Sequence, residues 1–101
     1  MPRKMQYKYR ISPLAIHKVR VFYWHMLMKY SNTYSYSDML RYINNTVDSM
    51  YKIEDSLLRR RPIIQRWQGY YMAHAGSWYY AYTIDGDRII IRDACHQQNM
   101  H

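Results

Sequence analysis

The order of its periodic segments constrains the fold of this 101-residue chain more than any other feature. A loosely alternating segment at residues 4–11 predicts a strand, and two segments with helical periodicity follow it. Residues 68–75, 78–84 and 88–95 are rich in Tyr, Trp and Ile, which suits three further strands. A chain of this length typically forms one domain, so we expect a single α+β domain over residues 1–101.

Two apolar stripes predict an antiparallel helical hairpin. Ser12 and Pro13 form a typical helix start, because serine caps unpaired N–H groups and proline fits the first helical position. The stripe that follows comprises Ala15, Val19, Phe22, Met26 and Tyr30. The second stripe opens near Ser35 and comprises Tyr36, Leu40, Ile43, Val47, Met50 and Leu57. We expect this second helix to run for about six turns and to end at Pro62.

The last three segments predict an antiparallel meander. Asp85 and Gly86 separate two of them and are the strongest hairpin signal in the chain. The first strand can add to the same sheet. The predicted architecture is therefore a helical hairpin packed on a small antiparallel sheet, with a three-stranded meander at its C-terminal end.

Positive charge is clustered along the sequence. Lys and Arg outnumber Asp and Glu by 15 to 7, and residues 1–20 and 57–66 contain no acid. The second cluster comprises Arg59, Arg60, Arg61 and Arg66. Such clusters favour polyanions, among which nucleic acid is the commonest, although an acidic protein partner or a merely solvated surface fits the same charge. Arginines at a helix end also relieve the helix dipole without any ligand.

Tyrosine is unusually frequent, with 13 residues in the chain. Exposed aromatic rings among basic residues stack on the bases of single-stranded nucleic acid. A small sheet also fills its own core with aromatic residues, and strand alternation sends about half of them inward. We therefore expect at most two or three tyrosines to face a ligand.

The polar C-terminal segment contains the candidate proton-transfer residues His96 and His101. A lone histidine is more often a packing or surface residue, so this interpretation needs support from geometry. Cys95 is the only cysteine, which fits a reducing compartment. No metal-ligand spacing is present, so we expect neither a metal nor a cofactor. No segment is apolar enough for a signal peptide or a membrane span, so we expect a cytoplasmic protein without membrane contact.

Five segments, in this order and spacing, resemble the RelE/ParE superfamily of bacterial toxins. Ser12-Pro13-Leu14-Ala15 is similar to the family's junction between first strand and first helix, and Leu57 to Pro62 to the end of its second helix. Gly69-Tyr70-Tyr71 resembles the start of the next strand. The central hairpin and the C-terminal ending are matched by Trp78 to Tyr82 with Asp85-Gly86-Asp87, and by Ala94-Cys95-His96-Gln97.

The resemblance implies the toxin of a type II toxin–antitoxin system, held inactive by a cognate acidic antitoxin. Family members either cleave mRNA on the ribosome, as metal-independent endoribonucleases, or poison DNA gyrase without catalysis. A non-toxic nucleic-acid-binding member is the third possibility. The chain departs from the nuclease pattern, because Tyr79 stands where the central strand usually carries an arginine.

The implied site residues fall into two groups. The catalytic candidates are His96, His101 and Arg92. The nucleic-acid-binding candidates are Arg59, Arg60, Arg61, Arg66, Tyr79 and Gln97.

Overall fold

One strand, two helices and three further strands follow one another along the chain. The structure is a computed structural model that describes residues 7–53 and 60–100. The strands are β1 (Lys8–Ile11), β2 (Tyr71–Ala75), β3 (Trp78–Asp85) and β4 (Arg88–His96), and the helices are α1 (Pro13–Lys29) and α2 (Tyr36–Met50). Short 3-10 helices span Gln65–Trp67 and Gln97–Asn99. The predicted α+β class and element order are confirmed, while residues 4–6 of the predicted first strand lie outside the described residues.

The sheet is mixed rather than antiparallel. Its strand order is β1-β4-β3-β2, and β1 runs parallel to β4, with Lys8 opposite Arg88 and Ile11 opposite Ile91. The β2–β3 and β3–β4 pairs are antiparallel, as the meander predicted. The prediction of a wholly antiparallel sheet was therefore wrong. Local residue patterns do not encode the direction of β1, because its partner lies at the other end of the chain.

Both helices begin where their capping residues predict. The Ser12 Oγ accepts a hydrogen bond from the Ala15 N–H at 3.2 Å and donates one to the Arg92 carbonyl at 3.0 Å, which ties the start of α1 to β4. Ser35 and Asp38 form a reciprocal capping box at the start of α2. These caps satisfy N–H groups that have no partner within the helix.

The second helix is much shorter than the sequence predicted. It ends at Met50, and the N–H groups of Tyr51 and Lys52 bond to carbonyls only three residues back or fewer. Ile53 lies beyond the end of α2 but is still buried in the core. Its burial explains why the apolar spacing continues past the helix. Arg60 pairs with Met72 in an isolated antiparallel bridge. Arg60 and Arg61 therefore lie outside any helix themselves, and Arg59 and Leu57 lie outside the described residues.

Both faces of the sheet are covered. The helical hairpin packs on one face, where Tyr80, Tyr82, Ile89 and Ile91 are fully buried. On the other face a smaller cluster forms from Ile64, Trp67, Met72, Ala81 and Cys95. The tyrosines divide as alternation predicted: Tyr80 and Tyr82 are core residues, Tyr79 is half-buried, and Tyr70 is exposed. The sheet face opposite the helices is thus partly covered by residues 64–67.

A β-bulge in β4 sets which side chains face the helices. Ala81 pairs with Asp93 and Tyr82 with Ile91, so Arg92 is the extra residue. The bulge shifts the alternation by one position. Ile91 and Ala94 consequently both join the helix-side core, and His96 follows them, whereas Cys95 joins the opposite cluster.

Candidate functional site

A small groove lies where β4 extends past the end of β1. It has a volume of about 130 Å³, and we call it the edge groove. α1 contributes one side of it, the 3-10 helix Gln65–Trp67 contributes another, and the end of β4 forms its floor. Its principal lining residues are Lys18, Phe22, Arg66, Cys95, His96 and Asn99. Two sequence-predicted site residues, Arg66 and His96, therefore come together here.

His96 is fixed by its neighbours on three sides. Its ring stacks on Phe22 with centroids 4.2 Å apart, and Trp78 meets it edge-on at 5.4 Å. Its Nδ1 accepts a hydrogen bond from the Gln98 N–H at 3.3 Å and so caps the 3-10 helix that follows. Because Nδ1 is the acceptor, the neutral ring carries its proton on Nε2. The His96 ring is thus fixed in orientation, with its Nε2–H as the hydrogen-bond donor.

Two cations line the same groove as His96. Lys18 Nζ lies 3.5 Å from the Asp93 carboxylate, and the Arg66 Nη2 donates to the Cys95 sulfur at 3.0 Å. The Arg66 guanidinium also lies 5.8 Å from the Trp67 ring centroid. Arg66 remains solvent-exposed and the Lys18 side chain is partly so, so both can offer charge to an anion. A phosphate is the group that paired Lys and Arg side chains typically bind.

Asp93 links the elements that form the edge groove. Its Oδ2 accepts from the Trp67 Nε1 at 2.9 Å, and its Oδ1 accepts from the Ala94 N–H at 2.8 Å while facing Lys18. The carboxylate is buried, so these partners replace the water that it loses on folding. Asp93 therefore connects α1, β4 and the segment that carries Arg66.

The other predicted site residues are not assembled around His96. Arg92 lies on the opposite face of β4, where its Nε donates to the Thr83 Oγ1 at 3.1 Å. Four strand residues also separate it from His96 by roughly 13 Å. Tyr79 packs beside His74, with ring centroids 4.6 Å apart, and Gln97 is exposed, with its N–H bonded to the Ser77 carbonyl. The catalytic role of Arg92 therefore stays a prediction, and the bulge places this residue on a different face of β4 from His96.

The arginine cluster is divided in the same way. Arg61 lines a separate groove at the start of β2, while Arg60 is exposed beside it. Among the arginines of the cluster that the structure describes, Arg66 alone lines the edge groove. Arg59 and His101 lie outside the described residues.

Sequence reasoning missed Lys18, Phe22 and Asp93. Lys18 and Phe22 are four residues apart and share one face of α1, which a helical reading of the sequence can indicate. Their relation to Asp93 and His96 depends on how α1 lies across β4. No local pattern predicts that crossing.

A second, larger groove runs along the outer surface of the helical hairpin. It measures about 560 Å³, and we call it the hairpin groove. It is apolar and exposed: Trp24 remains 48% and Tyr36 59% accessible. Leu14, Val21, Trp24 and Met28 form an outer stripe on α1 at intervals of three, four and seven residues, and Leu40 of α2 lies alongside. Because α1 is apolar on two faces, the single inward stripe that the sequence predicted was incomplete.

Burial of His96 gives the folded protein a pH-dependent stability. Desolvation lowers the pKa of the imidazole from its ordinary value of 6.5. The unfolded chain therefore takes up this proton at a higher pH than the folded protein does. The stability that His96 contributes is fully present above the unfolded pKa and is lost as the pH falls through the lower folded pKa.

The variant His96→Asn tests this dependence, because asparagine keeps an acceptor for the Gln98 N–H but does not titrate. We expect the free energy of unfolding, measured by urea denaturation, to decrease more steeply on acidification in the unsubstituted protein than in His96→Asn. The difference should open as the pH falls from about 7 to about 5. Identical slopes in the two proteins would contradict it.

Comparisons of the chain with protein-family models, with curated proteins and with solved structures found no significant match. The resemblance to the RelE/ParE superfamily therefore depends on the residues and the order of the elements. Within residues 7–53 and 60–100, no three His, Cys, Asp or Glu side chains are grouped so as to hold a metal ion. The described helices include none that is both long and apolar enough to cross a membrane.

Proposed function

We propose that this chain is the toxin of a type II toxin–antitoxin system, similar to the RelE/ParE superfamily and acting in the cytoplasm. The observation that carries the proposal is the edge groove, in which His96, Lys18 and Arg66 line one cavity beside the end of the last strand. The strongly basic composition supports a polyanionic target. The segments that resemble the family span nearly the whole chain.

The activity that this groove supports best is metal-independent cleavage of mRNA on the ribosome. Lys18 and Arg66 would bind the scissile phosphate and stabilise the added negative charge of the transition state. The 2′-hydroxyl would attack phosphorus, and the bond to the 5′-oxygen would break. His96 would first take up a proton on Nδ1, which breaks its hydrogen bond from the Gln98 N–H, and would then give its Nε2 proton to that leaving oxygen. The proton lost by the 2′-hydroxyl needs an acceptor, for which the sequence offers His101.

A second candidate function is non-enzymatic inhibition of DNA gyrase. The observation that favours it is that the His96 ring is immobilised by stacking on Phe22 and by the hydrogen bond from Gln98. These contacts fit a structural role for His96 as well as a catalytic one. In this case the basic surfaces would bind the target without any bond being broken.

Induced expression in bacterial cells separates the two functions. Ribosome-associated mRNA fragments accompanied by growth arrest are expected from the nuclease. DNA breaks and a damage response with intact mRNA are expected from the gyrase inhibitor. Unimpaired growth after verified expression of folded protein would contradict both and favour a non-toxic nucleic-acid-binding protein.

The proposed antitoxin would dock in the hairpin groove. Between residues 13 and 29, α1 carries Lys18, Arg20 and Lys29 but no acid, so an amphipathic helix with acidic flanks complements both its charge and its apolar stripe. A second copy of this chain fits less well, because two α1 helices would bring their cations together. Trp24 is the expected anchor, since partly exposed Trp residues in grooves are common binding hot spots.

Substitution of Leu40 by Asp should abolish this pairing. Leu40 is 42% exposed and lies in the groove, so the variant should fold normally. The new carboxylate would face the apolar side and the acidic flanks of the partner helix, which disfavours binding. With an acidic protein encoded next to this chain as the co-expressed partner, we expect the dissociation constant to rise by about 100-fold. The matched control is Ile63→Asp, which introduces the same charge at an exposed apolar residue outside the hairpin groove. Equal binding by the Leu40 variant and the unsubstituted chain would reject the docking site.

A further inference from the structure

The third groove of interest lies at the corner of the sheet where β2 begins. It measures about 610 Å³ and is lined by Arg61, Pro62, Gln68, Gly69, Tyr70 and Thr83 among others. We call it the corner groove. A volume of this size accommodates a small organic ligand. Neither the edge groove nor the hairpin groove includes any of these residues.

Tyr70 is presented to this groove by a tight turn. Trp67 is buried, the Tyr70 N–H bonds back to the Trp67 carbonyl at 3.0 Å, and Gly69 between them has a φ of +91°. That left-handed conformation favours glycine over residues with a side chain. Nothing lies within 4 Å of where a Gly69 Cβ would stand, so the space beside the Tyr70 backbone is open. The Tyr70 ring remains 37% exposed.

The groove also offers charge and hydrogen-bonding groups around that ring. Arg61 and Gln68 are exposed at its walls. Thr83 lines it and accepts a hydrogen bond from Arg92, which brings a second guanidinium alongside. β2 pairs with β3 only as far as Tyr82, so Thr83 to Asp85 run past β2. Among three consecutive strand residues, at least one directs its N–H and C=O toward the side that β2 leaves open.

We infer that the corner groove binds one base of a single-stranded nucleic acid, stacked on Tyr70, with Arg61 contacting the adjoining phosphate. An aromatic face beside a guanidinium suits a base and its phosphate. The amide of Gln68 and the β3 backbone supply donors and acceptors for the edge of the base. The inference rests on the proposed function only in taking nucleic acid as the target.

The test uses fluorescence anisotropy with a labelled oligo(dT) of about eight nucleotides, a length within the range that single-strand-binding sites cover. This probe lacks the 2′-hydroxyl that cleavage requires, so binding is measured without turnover. Tyr70→Ala should raise the dissociation constant about 10-fold, the usual scale for the loss of one stacked base. Tyr70→Trp should restore binding. Tyr36→Ala, the same change at an exposed tyrosine in the hairpin groove, should leave it unchanged.

The salt dependence separates stacking from charge. Arg61→Gln should reduce the slope of log Kd against log salt by about one, whereas Tyr70→Ala should leave that slope unchanged. Unaltered binding by Tyr70→Ala would overturn the inference, as would an equal loss in Tyr36→Ala or no binding of oligo(dT) by the unsubstituted chain. Binding of an acidic peptide that requires Tyr70, without binding of oligo(dT), would assign the groove to a protein partner and would also overturn the inference.

The outcome is independent of toxicity. If the unsubstituted chain arrests growth but oligo(dT) binding does not depend on Tyr70, the base-binding role of the corner groove is rejected and the proposed function stands. Tyr70-dependent binding by a chain that does not arrest growth keeps the corner groove and rejects the toxin.

Discussion

Replacing His96 should reduce mRNA cleavage by about 100- to 10,000-fold, the usual scale for the loss of acid–base catalysis. The measurement is the rate at which ribosome-bound mRNA is cut after induction, with equal amounts of folded protein. The physical reason is that His96 is the only histidine among the lining residues of the edge groove, which it shares with Lys18 and Arg66. Histidine is the side chain whose ordinary pKa suits proton transfer near neutral pH.

Two variants divide the structural and chemical roles of His96. His96→Asn keeps an acceptor for the Gln98 N–H but loses the ring, while His96→Phe keeps a ring against Phe22 but loses the acceptor. Neither transfers a proton, so both should lose cleavage. His25→Asn, at an exposed position on α1, is the matched control and should cleave at the unsubstituted rate. Cleavage at that rate by either His96 variant would eliminate His96 as the proton donor.

Growth arrest that persists in both His96 variants without cut mRNA would shift the assignment to gyrase inhibition. That result fits the second candidate function, in which His96 only supports the end of β4. The DNA-break assay on the same cultures then decides directly.

The largest effect on stability is expected from Trp67→Ala. Trp67 is 1% exposed, fills the smaller core cluster and donates to the buried Asp93 carboxylate. Truncating a buried Trp typically costs about 3–5 kcal/mol of unfolding free energy. A domain of this length has only about 5–15 kcal/mol in total. We therefore expect the midpoint of urea denaturation to fall sharply, or the variant not to fold.

Trp24→Ala is the matched control, because it removes the same side chain from an exposed position on α1. Its cost in stability should stay within about 0.5 kcal/mol, since surface substitutions rarely exceed that. Trp67→Phe isolates the hydrogen bond to Asp93 and should cost about 1–3 kcal/mol, because it leaves a buried acceptor partly unsatisfied. Equal destabilisation by Trp67→Ala and Trp24→Ala would show that the second cluster contributes nothing.

The consequences of Trp67→Ala should extend to the edge groove. Trp67 anchors the 3-10 helix that carries Arg66, and Asp93 connects that helix to Lys18. Loss of the anchor releases one of the two cations that line the same groove as His96. Cleavage should therefore fall in Trp67→Phe even where the protein remains folded.

The site was only partly predictable from the sequence. His96 and Arg66 were found because proton-transfer and phosphate-binding residue types stand out in a polar tail and a basic run. Lys18 was not found, because α1 was analysed for its inward apolar stripe alone, and Phe22 was assigned only to packing as a member of that stripe. Arg92 was grouped with His96 as a catalytic candidate, and a regular strand would put both on one face, but the bulge breaks that alternation.

The local features of this protein could be predicted from residues that are close together in the chain. The capping residues Ser12 and Ser35, the Asp85-Gly86 turn and the periodicity of the helices and strands act between residues close in sequence, so their effects can be read directly. The α+β class follows from the order of these elements.

Only the tertiary structure decided what depends on distant partners. The parallel pairing of β1 with β4, the end of α2 at Met50, and the convergence of Lys18 and Arg66 on the end of β4 all belong to this group. The physical reason is that each requires residues far apart in the chain to pack together, and that packing overrides local preference.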